Sequence, residues 1–412
     1  MARASSESSD SKIVDVVTYH GWGGYFFEDL EKIRAEKIAP ENRYHTATGH
    51  DRYPFVRSPA PVVGLGLKLS NGRTFWGDAV AVSFGGKSGR AGPGSPALLD
   101  VWIRTKLKPW FVGLPLTRWL ETEAAFLLEF PDAPAFVRYA VSQAVVGGVS
   151  FATNEVPFKM MARELELPII NKTIPLHGSS GADWGGAVDR MLARNIPFLP
   201  QGQFENIDEQ IGVNGEHLLT WIRHFKTRAN KFSYLPTLTL DFHGALDTAF
   251  NHDLALISTF IAAMAKEAYP HRLHVESPIV GKTLDDHAMR CAEIRKHLTS
   301  KSPDTRIIAD EWANEASDID LLIRTKAVDG IHIKMPDTGS LSECAKAVLL
   351  CKNNNIFSLL GGSCTETDIG ARMSAHLALA TRPDALLVKP GMGFDESHSL
   401  LFNEMARSVS TT

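Results

Sequence analysis

The chain has 412 residues, 44% of them hydrophobic and 22% charged, with a formal net charge of −4 at pH 7. This is a soluble globular composition, too long for one simple domain and suited to a large barrel with a smaller partner. The charge balance excludes a nucleic-acid footprint, and with no run of about 18 apolar residues no membrane span is expected, so the expected partner is a small molecule.

Residues 1–11 are polar and lack the apolar stretch of a signal peptide, so they read as a disordered tail. Residues 12–170 mix strand-like and helical patterns and read as an α+β domain. Within it, Val62 to Leu69 alternate, Asn71-Gly72 is a turn signal, and Thr74 to Val82 return, which predicts a hairpin. Helices are expected over 96–113 and 115–129, followed by a long one over 132–165. The glycine-rich GGKSGRAGPGSP (Gly85 to Pro96) lacks the first glycine of a P-loop, which would fall on Ala81, and reads as a mobile lid.

From 171 to 400 the beat changes. Short apolar runs near 173–177, 196–200, 237–242, 272–276, 306–310, 330–334, 356–360 and 384–388 alternate with stretches of three-to-four apolar spacing. Eight strand candidates separated by helices predict a (β/α)8 barrel, with a doubly wound sheet as the competing arrangement. Residues 401–412 read as a C-terminal tail. The four cysteines, Cys291, Cys344, Cys351 and Cys364, have neither zinc spacing nor a disulfide framework, and point to a reduced, cytoplasmic protein.

Four of the barrel runs end in residues that carry chemistry. TLTLDFHG, RLHVESPI and RIIADEWAN place Asp241, Glu276 and Asp310 at successive strand ends, and DGIHIKMPD places Lys334 at the next. Barrel active sites lie on that rim. Neighbouring strands are about 4.8 Å apart, so three carboxylates can share one ion. Hard oxygen donors alone select Mg2+, with Mn2+ as a variant, over zinc or copper. A lysine beside that cation is disfavoured as ammonium and suits a base that takes a proton next to a carboxylate. Taken singly, a strand-end aspartate is more often a turn residue or helix cap than a ligand; Asp310 can cap the next helix, with Glu311 or Asn314 replacing it as ligand. The ordered set of four on consecutive strands shifts the reading to a site.

HGSSGAD (177–183) and LGGSCTETD (360–368) follow strands and precede helices, so their backbone N–H groups can approach an anion or simply cap. KPGMGFDE (389–396) brings Met392 and Phe394 near the rim, with core or dimer packing as the alternative. His177, His243 and His332 also sit at strand ends. His332 lies two residues before Lys334 and faces the same way, which leaves it open as a second acid or base, a carboxylate contact or a filling residue; His243 is read as structural or as supporting the site instead.

With these residues in view, the chain resembles the 3-methylaspartate ammonia-lyase family of the enolase superfamily over nearly its whole length. LDFHG, ESPI, IIADEW, IKMPD, GGSCTETDIGAR and LLVKPGMGFDE, with FNEM close behind, carry the resemblance. It implies an N-terminal capping domain on a modified (β/α)8 barrel, homodimers and Mg2+, with ammonia eliminated from 3-methylaspartate to give mesaconate. It also implies that Asp241, Glu276 and Asp310 hold the metal and that Lys334 is the base.

The chain departs from the family where substrate is read. Gln201 stands at the family's histidine base on the opposite face, Ser179 at a glutamine, His332 at a glutamine and Ser363 at a threonine; a capping-domain glutamine becomes Ser83. His177 replaces a phenylalanine and Leu359 a tyrosine, whereas Cys364, Leu387 and Met392 match. Lost hydrogen bonds to a buried ammonium or carboxylate cost about 1–3 kcal/mol each. The expectation is therefore a lyase with the metal and base intact and a changed amino acid or hydroxy acid substrate. A dehydratase is the main variant. A racemase would need a second base, a Schiff-base aldolase would not need three carboxylates, and a scaffold would need neither metal nor base.

Overall fold

The computed structural model describes residues 12–50, 53–80, 87–90, 92, 94–181, 184–363 and 365–410. The capping domain begins with a long strand, β1 (Ile13–Glu28), which the sequence pattern does not single out because Gly21, Gly23 and Gly24 interrupt its alternation. After the short pair β2 (Ala47–His50) and β3 (Tyr53–Phe55) come β4 (Arg57–Leu69) and β5 (Thr74–Val80), the predicted hairpin. Gly72 turns it at φ +85°, and Lys68 pairs with Thr74 while Val62 pairs with Val80. Together β1, β4 and β5 form an antiparallel sheet in the order β1-β4-β5.

The expected helix over 96–113 exists as three joined turns, Pro96–Trp102, a π-helical Ile103–Leu107 and Lys108–Phe111; a second covers Trp119–Glu129. The single helix expected over 132–165 is two, Ala135–Thr153 and Pro157–Glu164. Asn154 caps the first in the left-handed conformation (φ 54°), and Pro157, which lacks an N–H, holds Val156 extended. By length and composition Ala135–Thr153 is apolar enough to cross a membrane, although Arg138 and Gln143 interrupt its apolar run. It is instead the core helix of the capping domain, 78% buried within the protein and packed on β5.

All eight expected barrel strands form: β6 (Leu176–His177), β7 (Phe198–Gln203), β8 (Thr237–Asp241), β9 (Leu273–Glu276), β10 (Arg306–Ala309), β11 (Gly330–Lys334), β12 (Phe357–Gly361) and β13 (Ala385–Leu387). They are parallel and close in the order β10-β11-β12-β13-β6-β7-β8-β9, which excludes the doubly wound sheet. Ile308, Phe357, Leu359, Ala385 and Leu387 fill part of the interior. The segment read as a tail from 401 is helical to 410, within Phe394–Ser410. Leu401, Met405 and Ser408 are buried at helical spacing, and Glu404 accepts from Arg372 at 2.6 Å, so this helix docks on Asp368–Thr381.

Candidate active site

Asp241, Glu276 and Lys334 are the last residues of β8, β9 and β11, and Asp310 follows β10 directly. All four are buried. Asp241 and Glu276 face each other across the β8–β9 ladder. Burial, and then the Glu276 charge, push Asp241 up to about 6. Burial also raises Asp310, but Lys334, Arg90 and nearby histidines outweigh it and hold the carboxylate below its ordinary range.

The side chains interlock. Lys334 Nζ donates to Asp310 Oδ2 at 2.6 Å. His332 Nδ1 lies 2.7 Å from Glu276 Oε1, and Gln201 Nε2 donates to Glu276 Oε2 at 3.3 Å. His243 bridges Asp241 Oδ2 and Glu311 Oε1, both at 3.0 Å. Burial lowers His243, but its two carboxylates overcome this and lift it to about 10, so it sits as an imidazolium supporting the rim. Lys334 follows the same logic. Burial and Arg90 lower it, but Asp310, Asp337 and Glu311 win, so with protein groups alone it is raised rather than lowered as expected beside a cation.

The donor set fits a hard divalent cation. Asp310 Oδ1 is buried without a hydrogen-bond partner among the described residues, and two groups converge within 4.8 Å, the buried Glu276–Asp310–His332 and the half-buried His243 with buried Asp310 and Glu311. Asp310 is common to both. The trio read from the sequence is not itself one of these groups; Asp241 Oδ2 lies 3.0 Å from His243 Nε2.

A cavity of about 380 Å3 opens onto this rim, lined by Asp241, His332, Lys334, Gln201, Ser179, Ser363 and Leu387, together with Glu28 and Gln203. Gln203 Nε2 donates to Glu28 Oε2 at 2.8 Å, so capping-domain strand and barrel share the wall. His177 is not among the lining residues. Its ring stacks on Phe198 at 5.9 Å, and burial lowers it to about 3, which keeps it neutral. Leu359 lies in the barrel interior, where it pairs with His332 across the β11–β12 ladder. Met392 is half-buried in a turn after β13, packed against the core instead of the cavity. Ser83 and Cys364, and Gly85, Gly86, Ala91 and Pro93 of the expected lid, lie outside the described residues.

Strain marks the same rim. Gln201, His243, Ser277 and Trp312, none of them glycine, have φ of 66°, 43°, 44° and 63° at the ends of β7 to β10. Left-handed backbone at side-chain-bearing residues persists where surrounding structure enforces it and gathers at functional sites.

Sequence reasoning missed Arg90. Its guanidinium is 3.1 Å from both Asp310 Oδ2 and Asp337 Oδ2. It comes from the glycine-rich segment of the capping domain, and nothing local in the sequence ties it to a barrel strand end. Also missed was the fully buried pair Lys389–Glu366, Nζ to Oε2 3.0 Å, beneath the 362–367 loop.

Capping domain, closed barrel, acidic rim and strand-end lysine are those of a lyase of the enolase superfamily. Two family models cover the chain: methylaspartate ammonia-lyase C-terminus over residues 168–412 and methylaspartate ammonia-lyase N-terminus over residues 11–166. The chain belongs to the methylaspartate ammonia-lyase family. It is 31% identical to methylaspartate ammonia-lyase 2 of Carboxydothermus hydrogenoformans, over 97% of this chain and 98% of that protein. The crystal structure of the Citrobacter amalonaticus methylaspartate ammonia lyase containing (2S,3S)-3-methylaspartic acid superposes with a TM-score of 0.88 at 30% identity, covering 97% of this chain and 99% of that one. The Mg-complex of β-methylaspartase from Clostridium tetanomorphum gives 0.86 at 26% identity, covering 97% and 98%.

Proposed function

We propose that this protein is a Mg2+-dependent carbon–nitrogen lyase acting on an amino acid carboxylate, with Mn2+ as an alternative cation. The observation that carries this reading is Lys334, buried at the end of β11, lining the cavity and resting on a carboxylate of the acidic rim. Asp241, Glu276 and Asp310 would hold the cation, which when bound would supply positive charge favouring a substrate carboxylate and disfavouring the ammonium form of the neighbouring lysine. Lys334 takes the proton from the carbon beside that carboxylate. The electron pair left behind forms a carbon–carbon double bond as ammonia departs from the next carbon, and the proton stays on Nζ, where Asp310 pairs with it.

Across the barrel from Lys334, an amide stands where the resemblance implies a histidine base. In the closed order β7 lies four strands from β11, directly across the barrel, and it presents Gln201, an amide already engaged by Glu276. Proton removal is therefore confined to one face, and substrate epimerisation is not expected. Ser179, Gln201, His332 and Ser363 line the cavity at positions where the resemblance implies glutamine, histidine, glutamine and threonine. This supports a substrate that differs from 3-methylaspartate in its amine or its second carboxylate. A β-hydroxy acid with loss of water is the second reading, favoured by His332, whose Nε2 has no hydrogen-bond partner among the described residues and which lines the cavity beside the base. We place the enzyme in the cytoplasm as a homodimer, a reading supported by the buried cysteines Cys291, Cys344 and Cys351 and by the family resemblance.

The test is incubation in D2O with 3-substituted aspartates and 2- or 3-hydroxy diacids, following the absorbance of new unsaturated acid and deuterium beside the carboxylate. EDTA is expected to abolish turnover, and Mg2+ to restore it. One substrate is expected to exceed 3-methylaspartate by at least about tenfold in kcat/KM, as one lost hydrogen bond of about 1.4 kcal/mol implies. Full activity on 3-methylaspartate would refute the changed specificity, and EDTA-resistant turnover would refute the metal.

A further inference from the structure

The capping domain delivers one buried cation to the acidic rim. Arg90 is 6% exposed. Its Nη2 lies 3.1 Å from Asp310 Oδ2 and its Nε 3.1 Å from Asp337 Oδ2. Lys334 Nζ shares the same Asp310 oxygen at 2.6 Å. Two cations thus occupy Oδ2, while Oδ1 stays buried and without a hydrogen-bond partner among the described residues. Asp337 stands in the turn just after β11, so the guanidinium spans the ends of two adjacent barrel strands.

The segment bearing Arg90 is seated on the barrel by more than this pair. Asn314 Nδ2 donates to the Ser88 carbonyl at 2.8 Å. Gly89, at φ +76°, passes so close to the loop after β10 that a Cβ would come within 3.0 Å of Asn314 Nδ2 and 3.3 Å of the Trp312 ring. That loop is held in turn: Trp312 has φ 63°, and its Nε1 donates to Gly281 O at 2.9 Å. Glycine is needed where backbone approaches this closely with positive φ. A buried guanidinium is tolerated when carboxylates meet it, and a planar fork can span two of them where an ammonium, as a point charge, cannot.

We propose that Arg90 is a positioning residue of this site: by bridging Asp310 and Asp337 it fixes the Asp310 carboxylate so that Oδ1 alone faces Glu276 and the cation, while Oδ2 carries Lys334. The capping domain thereby completes the metal site of the barrel. This rests on the cation binding proposed above and adds a residue to it.

The test needs no substrate. Wild-type protein, Arg90→Ala and Arg90→Lys are stripped with EDTA and titrated with Mn2+ by calorimetry, with circular dichroism confirming the fold. Removing a partner that orients a metal ligand weakens binding 10- to 100-fold in typical sites. Mn2+ affinity is therefore expected to fall about tenfold in Arg90→Ala, to recover when guanidinium is added, and to remain weakened in Arg90→Lys. Unchanged or tighter Mn2+ binding in Arg90→Ala would overturn the proposal, because Arg90 would then be inert or a competing charge. So would wild-type affinity in Arg90→Lys, which decides alone if the alanine variant does not fold. Wild-type protein that binds Mn2+ yet eliminates from no acid in the panel counts against the proposed reaction and leaves the role of Arg90 to the titration; wild-type protein that binds no Mn2+ overturns both.

Discussion

Lys334→Ala is expected to lower turnover by a factor of about 10^3 or more with the fold intact. A positioned general base contributes typically 10^2 to 10^4 in rate, and here β7, directly across the barrel, presents the Gln201 amide. The structural consequence is small by comparison. Asp310 loses its 2.6 Å partner but keeps Arg90 at 3.1 Å, so the buried carboxylate is not left uncompensated. Lys334→Arg sharpens the result: it preserves a positive charge beside Asp310, but a guanidinium does not release its proton in the working pH range. Both variants should therefore be inactive, while Arg keeps a thermal midpoint close to that of the wild type. If Lys334→Arg retained a tenth or more of wild-type kcat, the lysine would be acting as a charge and the assignment of the base would fail.

That Lys334 was legible from sequence follows from how a parallel barrel is built. Each strand must be short, apolar and followed by a helix, so the strand end is marked by where apolar character stops, and a charged residue at that stop is on the rim. Asp241, Glu276, Asp310 and Lys334 are read off in this way, and the eight strands close as the count requires. The same local logic fails where an element is defined by what packs on it. Residues 401–410 look polar in sequence, yet Leu401 and Met405 bury against the Asp368–Thr381 helix. β1 runs on through three glycines because partners outside it hold the backbone: β4 pairs with Gly21 and again from Phe26, and Gly24 N donates to the Glu366 carbonyl.

Side-chain direction is the second limit. His177, Leu359 and Met392 occupy the segments the pattern predicts, but ring stacking on Phe198, the barrel interior and core packing claim them, so the cavity is lined by their neighbours. His332 and Gln201 do reach the cavity, and both also bind Glu276, a pairing across β7, β9 and β11 that strand periodicity alone does not reveal. Arg90 shows the limit most plainly. Its glycine-rich surroundings mark a loop, and only tertiary closure places its guanidinium on Asp310.

The Lys389–Glu366 pair is where the largest loss of stability is expected. Both residues are 1% exposed, and Lys389 Nζ lies 3.0 Å from Glu366 Oε2. Tyr139, from the core helix of the capping domain, donates to Glu366 Oε1 at 2.7 Å, and Gly24 N of β1 donates to the Glu366 carbonyl at 3.0 Å. A Cβ at Gly362 would overlap both charged ends, so the loop that places Ser363 in the cavity wall is wrapped around this pair. Lys389→Met keeps the apolar stem and removes the charge, leaving Glu366 buried with neutral partners. Breaking a buried pair from one side costs about 3–5 kcal/mol, because the remaining charge is uncompensated. A fall of several degrees in the thermal midpoint should follow. The double variant Lys389→Met/Glu366→Leu should recover much of it, since neither charge is then buried and Tyr139 keeps Gly370 O at 3.3 Å. Equal losses in the single and double variants would mean that volume and packing, rather than charge compensation, hold the loop. No loss in Lys389→Met would mean that water reaches Glu366 in solution, and that the loop carrying Ser363 is anchored by its links to the capping domain alone.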